Sequence, residues 1–170
     1  MMKPQDVLVL LEIAVRPTDA PWRFKDLASD LSMSPSEIHA AIKRSTKAGL
    51  FDPLTKKPRL TALKEFLVHG LKYVFPAEPG TEVRGMPTAH SAPPLNDLIV
   101  SSEHDQYVWP TDSGNTRGLM IPALFRSAPQ AAARNPALYE LLALIDAMRV
   151  GRVREQRIAV EKITKRLRSK

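Results

Sequence analysis

The chain has 170 residues, 44% of them hydrophobic, enough for one domain or for a small domain with an extension. It lacks cysteine, which excludes disulfides and thiolate metal sites and fits a reducing, cytoplasmic setting. No apolar run approaches the roughly 20 residues of a membrane span, so no membrane partner is expected. The net charge is +7, unevenly spread. Residues 1–75 carry 12 Lys/Arg against 8 Asp/Glu, residues 76–148 carry 4 against 8, and residues 149–170 carry 9 against 2. Two basic ends around an acidic middle favour a polyanionic partner such as nucleic acid; for any one charge run the plain alternative is a solubilising surface.

In chain order, Val7, Leu8, Leu10, Leu11, Ile13 and Ala14 predict a first helix from Pro4 to Val15, apolar on most sides and so buried in the domain or in a dimer interface. Asp6 and Glu12 interrupt its apolar run and argue against a signal peptide. A loop with two prolines, residues 16–21, follows. Next, Phe24, Leu27, Ala28 and Leu31 recur at i, i+3, i+4 and i+7, one stripe of a short helix. Ser32 and Met33 form a turn, with Met33 plugging the core. Ser34 is a good N-cap, Pro35 suits the first helical position, and Glu37 completes an S-x-x-E capping box. Ile38, Ala41, Ile42 and Ser45 then face inward, and Gly49 closes the helix. Ser36, Ala40, Lys43 and Lys47 point outward, flanked by His39 and Arg44. That face is small at its start and basic toward its end, which suits close approach to a groove followed by phosphate neutralisation. Two short helices joined this way form a helix-turn-helix, whose second helix enters the DNA major groove.

After Gly49, residues 50–60 read as a hairpin or loop with a basic tip of Lys56, Lys57 and Arg59; two prolines argue for a reduced one. Leu63, Phe66, Leu67 and Leu71 mark a helix from Thr61, ended by Pro76. Residues 76–129 hold eight of the fifteen prolines. Within them Leu98–Val100 is a strand candidate, and Tyr107–Trp109 and Arg117–Ile121 are expected to pair as a hairpin across Asp112–Asn115. Asn135-Pro136 caps a strong helix with a stripe of Leu138, Leu141, Leu142, Ile145 and Met148. Gly151 breaks it, and Val153, Ile158, Val160, Ile163 and Leu167 continue amphipathic spacing among Arg152, Arg154, Arg157, Lys165 and Arg166. This basic end reads as a dimerisation or domain-packing helix or as a second nucleic-acid contact.

The segment DLASDLSMSPSEIHAAIKRSTKAGLFDP resembles the recognition unit of bacterial winged-helix regulators of the MarR-like kind, in which LAxxLGLSPSxVxxAxKRLxxxGL is typical. The resemblance covers roughly residues 5–75. It implies a three-helix core with a wing that binds duplex DNA, commonly as a dimer. Ser32 stands where the turn glycine is usual, Arg23 where Ser or Thr caps the preceding helix, and the wing stretch LTKKPRL matches poorly.

Enzymatic patterns are weak. The four histidines, His39, His69, His90 and His104, are dispersed. Glu103-His104-Asp105 has no spaced partner to complete a metal site, and Thr88-Ala89-His90-Ser91 lacks a nucleophile-elbow context. No phosphate-binding glycine motif occurs, so no enzyme, cofactor or metal is expected. The expected architecture is mainly α: a winged helix-turn-helix domain over 1–75, an irregular segment with a small β-hairpin over 76–134, and basic amphipathic helices over 135–170. The expected function is a cytoplasmic, sequence-specific transcriptional regulator, a homodimer on double-stranded DNA. Its contacts would come from Ser34, Ser36, His39, Lys43, Arg44, Lys47, Lys56, Lys57 and Arg59, with further ones from the basic C-terminus. The alternatives are a protein-interaction or antitoxin-like module meeting a protein partner through residues 76–134, and RNA binding through the basic tail.

Overall fold

Asp6 and Glu12 sit inside the most apolar helix of the chain, and the way they are accommodated organises its first third. A computed structural model describes residues 1–168; the last two residues of the basic C-terminal stretch, 169–170, lie outside the described residues. Among the described residues the chain is mainly helical, 53% helix in eight α-helices, with two small sheets. Helix α1 (Pro4–Val15) buries every residue from Asp6 to Ile13. It packs against α3 (Pro35–Lys47), and α2 (Phe24–Leu31) closes the other side of α3. β1 (Phe51–Asp52) and β2 (Lys57–Pro58) make a hairpin only two residue pairs long, as the prolines at 53 and 58 dictate. Helix α4 (Leu60–His69) follows and α5 (Leu71–Val74) continues it after Gly70.

The middle segment departs from its expected layout. Tyr107–Pro110 (β4) and Thr116–Met120 (β5) are both strands, but they do not form an antiparallel hairpin: they pair in parallel, Tyr107 opposite Leu119 and Val108 opposite Met120. Each also pairs antiparallel with a strand that the sequence pattern did not mark, β3 (Glu82–Pro87). The three strands close into a ring. A ring this tight brings backbones together where side chains would normally stand. A Cβ on Gly85 would lie 1.8 Å from the Trp109 carbonyl oxygen, and one on Gly118 would lie 2.6 Å from the Gln106 carbonyl oxygen. Glycine at these positions is what permits closure. The expected strand at Leu98–Val100 is absent; Val100 is fully exposed and Leu98 has no strand partner.

Helices α6 (Ala128–Arg134), α7 (Pro136–Val150) and α8 (Val153–Arg166) complete the chain. The Asn135 side chain accepts the Leu138 N–H and caps α7. Every residue of α7 from Leu141 to Met148 is buried, so this helix is the axis of the molecule, touching α1, α4, α5, α6 and α8. One hydrophobic core runs through residues of all three segments, from Val7 through Trp109 to Leu167. Val153, expected on the apolar stripe of α8, is exposed; Ala159, Ile163 and Leu167 supply that face and lie against the chain itself.

Candidate nucleic-acid interface

Local chemistry sets the α2–α3 pair. Leu27, Ala28 and Leu31 bury one side of α2, whereas Phe24, expected on the same stripe, is 41% exposed. Ser32 ends α2 in the left-handed conformation, φ 51° and ψ 45°, and its N–H bonds back to the end of the helix. Met33 is buried. The capping box then closes: the Ser34 hydroxyl oxygen accepts the Glu37 N–H at 3.1 Å, and the Glu37 carboxylate accepts the Ser34 N–H at 2.8 Å. That backbone N–H, with Arg126 3.2 Å away on the other oxygen, holds the Glu37 carboxyl below its usual value.

Ile38, Ala41 and Ser45 turn inward on α3. Ser36, His39, Lys43 and Lys47 are exposed along the opposite face, spaced by three and four residues, and among the described residues neither lysine forms an ion pair. An aromatic ridge links this face to the β1–β2 hairpin. The His39 and Phe24 rings lie 5.5 Å apart, Phe24 meets Trp22 edge-on at 5.5 Å, and Trp22 meets Phe51 at 6.2 Å. The Trp22 indole N–H donates to the Lys56 carbonyl at 2.9 Å. Lys56 itself is left-handed, φ 56°, at the tip of the turn. Lys56, Lys57 and Arg59 are all exposed.

Two expected contacts are corrected. Arg44 does not stand free on α3: its Nε and Nη2 grip Asp6 at 2.8 and 2.6 Å, a bidentate pair in which Asp6 is wholly buried. A buried carboxylate in an apolar helix needs a partner of opposite charge, and among the described residues Arg44 supplies it. Ser34 likewise directs its hydroxyl oxygen to the cap. In the C-terminal group, Arg166 is held by Glu140 of α7 at 2.7 Å, while Arg152, Arg154, Arg157 and Lys165 are exposed. The main neighbour of α8 is α7, with α4 and the short turn at Leu95–Asp97 also against it. The structure therefore brings Ser36, His39, Lys43 and Lys47 together on one face and joins Lys56 to them through Trp22 and Phe24, while Arg166 of α8 lines a cleft that Lys56 and Lys57 also border.

Sequence reasoning read Asp6 only as a break in an apolar run and Phe24 only as part of the α2 stripe, and it missed Trp22 and Phe51. The signal was present: carboxylates inside an apolar helix imply buried partners, and Glu12, held by Arg16 and Asn135, repeats it. Elsewhere the α7 acid Asp146 accepts Thr88 at 2.6 Å, Trp109 at 2.7 Å and Arg149 at 2.9 Å, fastening the three-strand ring to α7. His90 is buried against Tyr107, with its Nε2 on the Asp105 carbonyl oxygen. Glu103 and His104 are exposed on the loop before β4, and no cluster of three metal-ligating side chains occurs among the described residues. Among the described residues no helix is long and apolar enough to cross a membrane. No family model matches the chain, nor does any curated protein or solved structure.

Proposed function

We propose that this protein is a winged helix-turn-helix DNA-binding regulator of transcription, with α3 as the helix that enters the major groove and the β1–β2 hairpin as a reduced wing. The observation that carries the reading is the exposed Ser36–His39–Lys43–Lys47 face on a helix capped at its start and docked by α2, with both lysines free of ion pairs among the described residues. Small residues at its N-terminal end admit a base edge, and the lysines neutralise phosphates on the flanks. Lys56 and Lys57 add backbone contacts from the wing. Arg44 is excluded from base readout by its pair with Asp6. As a homodimer the protein would address half-sites about 34–36 Å apart.

Affinity for duplex DNA should fall linearly on a log–log plot against salt. Lys43→Ala with Lys47→Ala should reduce that slope by about 2, one for each phosphate no longer neutralised. An unchanged slope and affinity would remove α3 from the interface. A protein-interaction role draws on a different observation, the exposed Leu98 and Val100 in the loop before β4. Co-purification of a stoichiometric partner, abolished by Leu98→Asp with Val100→Asp, would favour it.

A further inference from the structure

An α-helix lying in a major groove fills it, so a sugar–phosphate strand runs along each flank of the helix. The two flanks of α3 are equipped differently. At about 100° per residue, His39 stands about 60° to one side of Ser36 and Glu37 about 100° to the other. On the His39 side the Phe24 and Trp22 rings lead to the hairpin and its exposed Lys56 and Lys57. On the Glu37 side the α3 cation is Arg44, and it is bound to Asp6. What that flank presents is the Glu37 carboxylate, which would repel a phosphate.

The charge is answered from outside the helix-turn-helix. Arg126, 89 residues further along in the turn before α6, places Nη2 3.2 Å from Glu37 Oε1. Its guanidinium lies over the Phe125 ring, 4.6 Å from the centroid, and the Ala128 N–H closes the turn on the Phe125 carbonyl at 2.9 Å. Leu124 and Ala128 on either side are buried. Helix α6 is fastened in turn to the end of α2, where Arg134 donates to the Ser29 carbonyl at 3.2 Å. Arg126 is therefore held beside the start of α3 by its own segment as well as by Glu37. Yet its side chain stays 69% exposed, and its Nε and Nη1 form no hydrogen bond among the described residues. One nitrogen cancels the carboxylate, and the rest of the fork remains open to solvent with the geometry that grips a phosphate.

We infer that Arg126 is a backbone-phosphate contact for duplex DNA, on the flank of α3 opposite the β1–β2 hairpin. The inference rests on the reading of α3 as the groove-entering helix, and it adds to that reading a part of the chain outside the helix-turn-helix. The hairpin lysines and Arg126 straddle α3, one set to each strand. Phosphate contacts on both flanks fix how the helix is seated in the groove.

The test is fluorescence anisotropy of the full chain on a labelled mixed-sequence DNA duplex, over a series of salt concentrations. Arg126→Ala should lower the slope of log affinity against log salt by about one and weaken binding about fivefold near physiological salt. Arg126→Lys keeps the charge and should keep the slope. Glu37→Gln separates the contact from the cap: Gln still accepts the Ser34 N–H, and with the carboxylate charge gone this variant should bind at least as tightly as the parent. Arg126→Ala should lose the same slope in the Glu37→Gln background. The assignment is overturned if Arg126→Ala keeps the slope in either background, if Arg126→Lys loses as much as Arg126→Ala, or if Glu37→Gln alone reproduces the loss. Lys43→Ala with Lys47→Ala is the reference. If it lowers the slope and Arg126→Ala does not, only the Arg126 contact falls; if neither does, the reading of α3 falls and the contact with it.

Discussion

Ser32 holds a left-handed backbone at the junction of α2 and α3, where a non-glycine residue costs on the order of 1 kcal/mol. Ser32→Gly should raise stability by up to about that amount, reduced by the greater freedom glycine gives the unfolded chain, and thermal denaturation would record it. Glu12 makes an opposite kind of demand. Burial raises its carboxyl above the usual 4.5, against the pull of Arg16 and Asn135. Between its unfolded and folded values the native state binds more protons than the unfolded one, so stability from this group falls as pH rises through that window and is recovered as pH falls. Glu12→Gln should flatten that part of the profile and raise stability at pH 7 relative to pH 5; denaturant midpoints at the two values decide it. Tyr139, its hydroxyl on the Pro87 carbonyl, is pushed up to about 12 by burial and stays neutral throughout this range.

Among the elements, the helices were the most legible. The boundaries of α1, the α2–turn–α3 unit and α7 follow from apolar spacing, from the Ser34–Glu37 box, and from Asn135-Pro136, because all of these are signals within one turn of chain. The strands were half legible. Their residues were found at Tyr107 and Arg117, yet their pairing was not, since the intervening Asp112–Asn115 has hairpin turn chemistry and only β3 on the far side imposes the parallel arrangement. Gly85 is the element's weak point. Gly85→Ala drives a methyl into the Trp109 carbonyl and should cost on the order of 3 kcal/mol or more, with loss of the near-ultraviolet circular dichroism of Trp109.

At the scale of the molecule, α8 is part of the core and not an appended arm. Its Ala159, Ile163 and Leu167 cover a helix, α7, that is buried on nearly all sides. Ending the chain at Gly151 should remove about 1.5–3 kcal/mol for each large side chain uncovered, from a typical total of about 5–15. The expected result is early unfolding of the whole chain, including α3, seen as uniform loss of hydrogen-exchange protection and not as release of a folded N-terminal unit. The charges divide in the same way. Of the cations expected to face a partner, Arg44 and Arg166 are bound within the fold to Asp6 and Glu140, while Lys43, Lys47, Lys56, Lys57 and most of the α8 set remain outside.

Local sequence determined the starts and stops of α1, α2, α3 and α7, the inward and outward faces of α3, the shortness of the β1–β2 hairpin and the uneven charge, but not α6, which lies in the stretch read as irregular. Each of these is set by neighbours a few residues apart. Long-range packing alone set the pairing of Arg44 with Asp6, 38 residues away, the closure of three strands around glycines, and the link from His39 through Phe24 and Trp22 to Lys56. Those pairings answer to the burial of carboxylates and aromatic rings in a shared core. Spacing along the chain records that a charge must find a partner there, and the packing alone records which one it finds.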